Sequence, residues 1–202
     1  MHNLRVSMHR AFNIVFVTML AVALAACGNR DRPATFKASD ITGMDIGGDF
    51  SMTDHTGKLR KLSDFKGKVV VLFFGYTQCP DVCPTTLSEV AAALKELGPK
   101  ANDVQVVFVT VDPERDTQEL LAQYVAAFNP SFLALRGNPT ELETATKLFK
   151  VFYAKNPGSG GSYTMDHIAA SFVFDKQGRI RLLVSQGAGV SVFVHDLAQL
   201  LG

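Results

Sequence analysis

Val69-Val70-Val71-Leu72-Phe73-Phe74-Gly75-Tyr76-Thr77-Gln78-Cys79-Pro80-Asp81-Val82-Cys83-Pro84 puts a strand, a turn and two thiols into sixteen residues. Val69 to Phe74 is wholly apolar and rich in β-branched and aromatic side chains, the composition of a strand buried on both faces. Directly after it, Thr85 to Leu97 places Leu87, Val90, Ala91, Leu94 and Leu97 at helical spacing, and Thr86-Leu87-Ser88-Glu89 matches a capping box. The cysteines therefore fall between a core strand and a long helix, at the strand end where α/β folds place their chemistry.

The pattern continues outward. Val104 to Val111 reads as a second buried strand, and Thr117 to Phe128 as a helix with Leu120, Leu121, Tyr124, Val125 and Phe128 on one stripe. A short strand at Phe132 to Leu135 precedes Asn138-Pro139, an N-cap with proline at the first helical position, which starts a helix ending near Phe149 or Lys150. Ile168 to Phe174 and Arg179 to Val184 are strands joined by the turn Asp175-Lys176-Gln177-Gly178. A last amphipathic helix carries Val190, Phe193, Val194, Leu197, Leu200 and Leu201. Upstream, the turn at Asp54-His55-Thr56-Gly57 makes a small hairpin of Phe50 to Met52 and Lys58 to Lys61, while Gly158 to Ser162 reads as a mobile loop. This order predicts an α/β domain of thioredoxin-like type over residues 38–202: a central mixed sheet flanked by helices, with an N-terminal β-hairpin. Fold order alone gives no function.

The 202 residues suit one domain plus a short appendage. Twenty basic against nineteen acidic residues leave a formal charge of +1, which argues against a nucleic-acid groove or a polyanionic substrate. Arg5, His9 and Arg10 precede Ile14 to Ala26, an almost unbroken apolar run of thirteen residues. A membrane span needs ~20, so residues 1–26 read as a signal peptide, with an uncleaved anchor as the alternative. Leu24-Ala25-Ala26-Cys27-Gly28 resembles the lipobox of bacterial lipoproteins. That resemblance makes Cys27 the lipidated first residue, residues 27–37 a tether, and the protein a membrane-anchored lipoprotein of the bacterial cell envelope with its domain in the periplasm. Of three cysteines, Cys79 and Cys83 then remain as a pair.

Three uses of that pair compete: a structural disulfide, thiol–disulfide exchange, or a metal site. Pro80 and Pro84 disfavour helical geometry at the residues before them, which predicts both thiols on a stiff turn leading into the helix. Helix N-terminal amides would favour thiolate there, and two close thiolates suit Cu(I) or zinc. Redox pairs usually have two intervening residues and this one has three, yet spacing alone does not separate the readings. His167 does. Asp166-His167 sits just before the strand at Ile168, where thioredoxin-like redox enzymes carry, by family resemblance, a cis-proline facing the cysteines; here the nearest upstream proline is Pro157. An imidazole facing two thiolates completes an S₂N ligand set, which favours metal. His55 and His195 read as solvated bystanders and Met165 as packing. Asp112 and Asp116 read as helix-start residues, with support of the copper loop as the sharper alternative, and Asp166 is a further candidate for such support.

Gly75-Tyr76-Thr77-Gln78-Cys79-Pro80-Asp81-Val82-Cys83-Pro84, then Val111-Asp112-Pro113-Glu114-Arg115-Asp116-Thr117, then Asp166-His167 together resemble the signature of the Sco/SenC (PrrC) family. The similarity of order and spacing runs from about Ile41 to the C-terminus, and three ordered blocks are far more specific than one short motif. The resemblance implies a non-enzymatic copper metallochaperone for the dinuclear copper centre of cytochrome c oxidase, holding Cu(I) and Cu(II) through Cys79, Cys83 and His167. Its implied partners are the copper-bearing oxidase subunit, a copper donor protein and a thiol reductant. A thiol–disulfide reductase using Cys79 and Cys83 on that subunit or on other exported proteins is the alternative, and a peroxiredoxin-like peroxidase with Cys79 as its thiol is the third. Gln78 stands where some relatives carry His, and Ser185 to Val194 matches nothing in the pattern.

Overall fold

The computed structural model describes residues 35–202, so Cys27, the signal segment and most of the tether lie outside the described residues. In chain order the elements are β1 (Ser39–Asp40), β2 (Ser51–Asp54), β3 (Leu59–Lys61), β4 (Val69–Gly75), α1 (Val82–Leu97), β5 (Val104–Thr110), α2 (Gln118–Phe128), β6 (Leu133–Arg136), α3 (Pro139–Phe149), β7 (Tyr153–Pro157), β8 (Tyr163–His167), β9 (Ala170–Phe174), β10 (Ile180–Ser185) and α4 (Val190–Leu201). Eight strands form one sheet in the order β1-β10-β9-β4-β5-β6-β2-β3, and β7 and β8 form a separate two-stranded sheet. β4, β5 and β6 run parallel, whereas β9 pairs antiparallel with both β4 and β10, so the sheet is mixed as the sequence predicts. Among the described residues no helix is long and apolar enough to cross a membrane.

Every residue of β4 is buried because helices cover both faces of the sheet's centre. Successive strand side chains point to opposite faces, so Phe73 and Phe74 serve different layers. On one side Phe149 of α3 meets Phe50, Phe74, Phe172 and Phe174, with ring centroids 5.1–6.0 Å apart. On the other, Phe73 packs on Phe108, which in turn meets Tyr124 of α2. Among the described residues most phenylalanines are thus interlocking core rings, each pair adding about 0.5–1.5 kcal/mol beyond its buried area.

Several local expectations need correction. α1 begins at Val82, with Asp81 as its N-cap, rather than at the Thr86 capping box. Pro84 lies inside its first turn, where the missing N–H costs nothing because first-turn amides have no intrahelical partner. Cys83 is therefore helical and not on a turn ahead of the helix. Neither Asp112 nor Asp116 starts α2: Thr117 is the N-cap and its side chain accepts from the Leu120 amide. α3 has the expected Asn138 cap, reinforced by a reciprocal bond from Glu141. The stretch before His167, where the sequence pattern marks only the Gly158–Ser162 loop, is the β7–β8 hairpin, with Tyr153 opposite His167 and that loop at its tip. His55 and His195 are not bystanders. The His55 ring accepts from the Ala134 amide at 3.1 Å, and His195 Nδ1 lies 2.7 Å from Asp196, which also caps the Lys37 and Ala38 amides.

The turn between β2 and β3 is organised by buried Asp54. Burial alone would raise its pKa, but bonds from Thr56, Arg60 and the Lys58 amide outweigh it and lower the value to about 2. Ionised Asp54 thus stabilises the fold above its unfolded pKa of ~3.9, and that contribution is lost as pH falls towards 2. Asp54→Asn is expected to cost about 2 kcal/mol at pH 7 in urea denaturation, with the gap from wild type closing between about pH 4 and pH 2. A pH-independent gap would show that the charge is not the cause.

Candidate metal centre

β4 ends at Gly75 inside the core, and the chain then turns. The Gly75 carbonyl accepts from Val111 at 2.8 Å and the Tyr76 carbonyl accepts from Cys79 at 3.3 Å, which folds the Tyr76–Cys79 segment back over the start of α1. An added Cβ at Gly75 would sit 2.8 Å from Cys83 Sγ, 2.8 Å from Phe108 and 2.9 Å from Phe73, so only glycine leaves room for the sulfur. Cys83 is fully buried on the first turn of α1, whereas Cys79 is partly buried. The free first-turn amide of Cys83 donates to Cys79 Sγ at 3.4 Å.

His167 ends β8 and brings Nε2 to 3.5 Å from Cys83 Sγ. Its Nδ1 lies 3.2 Å from the Ile168 carbonyl oxygen, which can only accept. The proton of the neutral ring therefore belongs on Nδ1, leaving the Nε2 lone pair towards the sulfurs. Edge contacts with Tyr76 and Phe73 hold the ring plane, with centroids 5.8 and 6.2 Å away. The three ligand atoms all lie within 4.8 Å of one another, the only such His/Cys/Asp/Glu cluster among the described residues.

The thiols are electrically unequal. The Cys83 thiol donates to Cys79, and this bond, helped by the Cys83 and Asp81 amides and by His167, outweighs burial and lowers Cys79 to about 5. Cys83 is pushed strongly upward because it gives that bond and because it is buried. The directions are opposite: thiolate is favoured on Cys79 and disfavoured on the enclosed Cys83. Two sulfurs and one nitrogen, with no fourth His, Cys, Asp or Glu beside them among the described residues, form a soft set with room for an incoming group.

The acidic candidates separate. Asp116 is buried and accepts from Thr77 N at 3.1 Å, from Thr77 Oγ1 at 2.5 Å and from Thr110 Oγ1, so it ties the cysteine loop to the end of β5. Burial foremost raises its pKa despite those bonds. Asp112 accepts from Arg115 Nε and from Tyr163 Oη at 2.9 Å. Asp166 is exposed, falls on the opposite face of β8 from His167, and is outside the ligand cluster. Met165 packs in the core, as read. Arg115, Tyr76 and Thr77 stand inside quoted blocks but carry no assigned role in the sequence, and Tyr163 gives no signal there at all.

The SCO1/SenC family model matches residues 38–202. An SCO2-like protein of Rickettsia prowazekii is 38% identical over 136 residues, covering 66% of this chain and 66% of the relative, just under two thirds of its length. Among solved structures, copper-bound ScoI of Bradyrhizobium japonicum is 38% identical with a TM-score of 0.71, covering 77% of this chain and 99% of that one. A SCO1/SenC family lipoprotein of Bacillus anthracis is 25% identical with a TM-score of 0.68, covering 83% of this chain and 100% of that one.

Proposed function

Because the chain belongs to the SCO1/SenC family, we propose that it binds one copper ion through Cys79, Cys83 and His167 and hands it on during cytochrome c oxidase assembly. The observation that carries the reading is the inward Nε2 of His167, aimed at two sulfurs from a strand end where redox relatives of the fold would carry proline. Copper is cargo here. It meets the Cys79 thiolate first, because that sulfur is both ionised and reachable; Cys83 gives up its proton, and His167 supplies a nitrogen that copper accepts in both oxidation states. With only three protein ligands, an acceptor's sulfur can join the metal before any ligand leaves. In this reading the acceptor is the dinuclear copper centre of the oxidase subunit, a donor protein loads the site, and a lipid on Cys27 holds the domain on the periplasmic side of a bacterial envelope membrane.

A second reading is favoured by the inequality of the thiols. Partly buried Cys79, which favours thiolate, and fully buried Cys83, which favours thiol, suit disulfide reduction. Cys79 would attack the acceptor's disulfide and release one of its thiols. Cys83 would then close the Cys79–Cys83 disulfide and release the second, after which an external dithiol restores the pair.

One comparison separates the two. Reduced protein is titrated with Cu(I) and mixed with a reduced dithiol acceptor peptide, and in parallel is tested for turnover on the same peptide as a disulfide with excess dithiol. The chaperone reading expects one copper per chain, stoichiometric transfer, and loss of Cu(II) binding in His167→Ala. Absence of tight copper, with turnover intact in His167→Ala, would overturn it in favour of the reductase.

A further inference from the structure

We infer that Arg115 is the positioning residue that joins the two halves of the centre, holding the His167 hairpin against the cysteine loop so that the imidazole is presented as third ligand. β7 and β8 pair only with each other, and an isolated two-stranded hairpin is marginally stable at best. The position of His167 therefore depends on side-chain ties between the hairpin and the domain. Met165 supplies an apolar anchor near the end of β8. At its start, Tyr163 is held by Arg115.

The Arg115 guanidinium reaches both halves at once. Nη1 donates to the Tyr163 carbonyl at 2.8 Å and to Gln78 Oε1 at 3.0 Å, and Gln78 immediately precedes Cys79. The guanidinium carbon stacks 3.6 Å from the Tyr163 ring centre and lies 5.8 Å from that of Tyr76, the same ring that packs on His167. Nε is fixed by Asp112, whose other oxygen receives the Tyr163 hydroxyl, so one carboxylate orients both partners of the stack. Nη2 is buried and has no hydrogen-bond partner among the described residues. The remaining charged tie, Lys155 to Glu114 at 2.7 Å, is exposed and screened by solvent. A planar fork that bonds in two directions and stacks on a ring is a task for arginine; a lysine ammonium supplies only a point charge.

The mechanical role of Arg115 stands apart from any metal; only its consequence for the third ligand rests on the copper reading above. Two thiolates still suit Cu(I) when the imidazole drifts away, whereas Cu(II) loses its nitrogen donor.

The test compares wild type, Arg115→Ala and Arg115→Lys by hydrogen exchange without metal and by Cu(I) and Cu(II) titration. Both variants are expected to lose amide protection in β7 and β8 while β4 and β5 stay protected. Cu(II) affinity is expected to fall about 10–100-fold, with the thiolate-to-copper charge-transfer band moving towards that of His167→Ala, while Cu(I) affinity stays within about threefold. Unchanged hairpin protection in both variants would overturn the coupling, as would full rescue by lysine. Altered protection with an unchanged Cu(II) spectrum would overturn the ligand-presenting role. If wild type binds no copper, the chaperone reading falls, and the exchange comparison alone decides for or against Arg115.

Discussion

Cys83→Ala is expected to weaken Cu(I) binding by at least ~100-fold, about 3 kcal/mol, in competition with a Cu(I) chelator of known affinity. Of the three proposed ligands Cys83 is the most completely fixed by the fold: it is fully buried on the first turn of α1, beside Gly75. Its loss leaves Cys79 and His167 without the sulfur they converge on. Truncating a small buried side chain should cost the fold only about 1 kcal/mol, so loss of metal is not loss of structure. Without Cys83 the Cys79 sulfur also loses the bond that most lowers its pKa, and its apparent pKa should rise from about 5. Thiolate absorbance against pH reads this in the absence of metal. Cu(I) affinity within threefold of wild type would mean that the buried sulfur is not a ligand.

Gly75→Ala is the second large effect, expected to cost about 3 kcal/mol, the upper end for overpacking. In a domain of this size that lowers Tm by roughly 6–12 °C. Replacing glycine by alanine ordinarily helps by about 0.4–1 kcal/mol through the unfolded chain, and Gly75 is not among the glycines at positive φ, so its backbone would tolerate the change. Sterics win because the new carbon meets two core rings and the Cys83 sulfur below 3 Å, and neither a β-strand nor a first helical turn can retreat far. Copper affinity should fall together with Tm, since one of the three crowded neighbours is the Cys83 sulfur itself. A stable variant with normal copper binding would show that this space is open.

The amino-acid sequence by itself determined the main sheet and its helices, and with them the position of the cysteines. A long apolar β-branched run in β4, a helical stripe in α2, and asparagine followed by proline ahead of α3 are local signals that burial reinforces. It also singled out Cys79, Cys83 and His167, whose candidate ligand atoms the fold brings within 4.8 Å of one another. Other features were decided only by tertiary structure. The β7–β8 hairpin lacks a regular alternation of apolar residues, since Ala154-Lys155-Asn156-Pro157 buries little and is held through Tyr153, Tyr163 and Met165. Pro84 argued locally against a helical Cys83, yet the unpaired amides of a first turn accept proline without penalty. Asp112 and Asp116 have the composition of helix caps, but Thr117 took that place and left both carboxylates buried, each with a partner far along the chain: Tyr163 for Asp112 and Thr77 for Asp116. Arg115 shows the same limit. Its neighbours in sequence reveal only a charged turn, and its bonds to Gln78 and Tyr163 exist because the sheet brings separated loops to one end. Periodicity and turn chemistry are written along the chain, whereas a buried charge is placed by whichever distant groups can satisfy it.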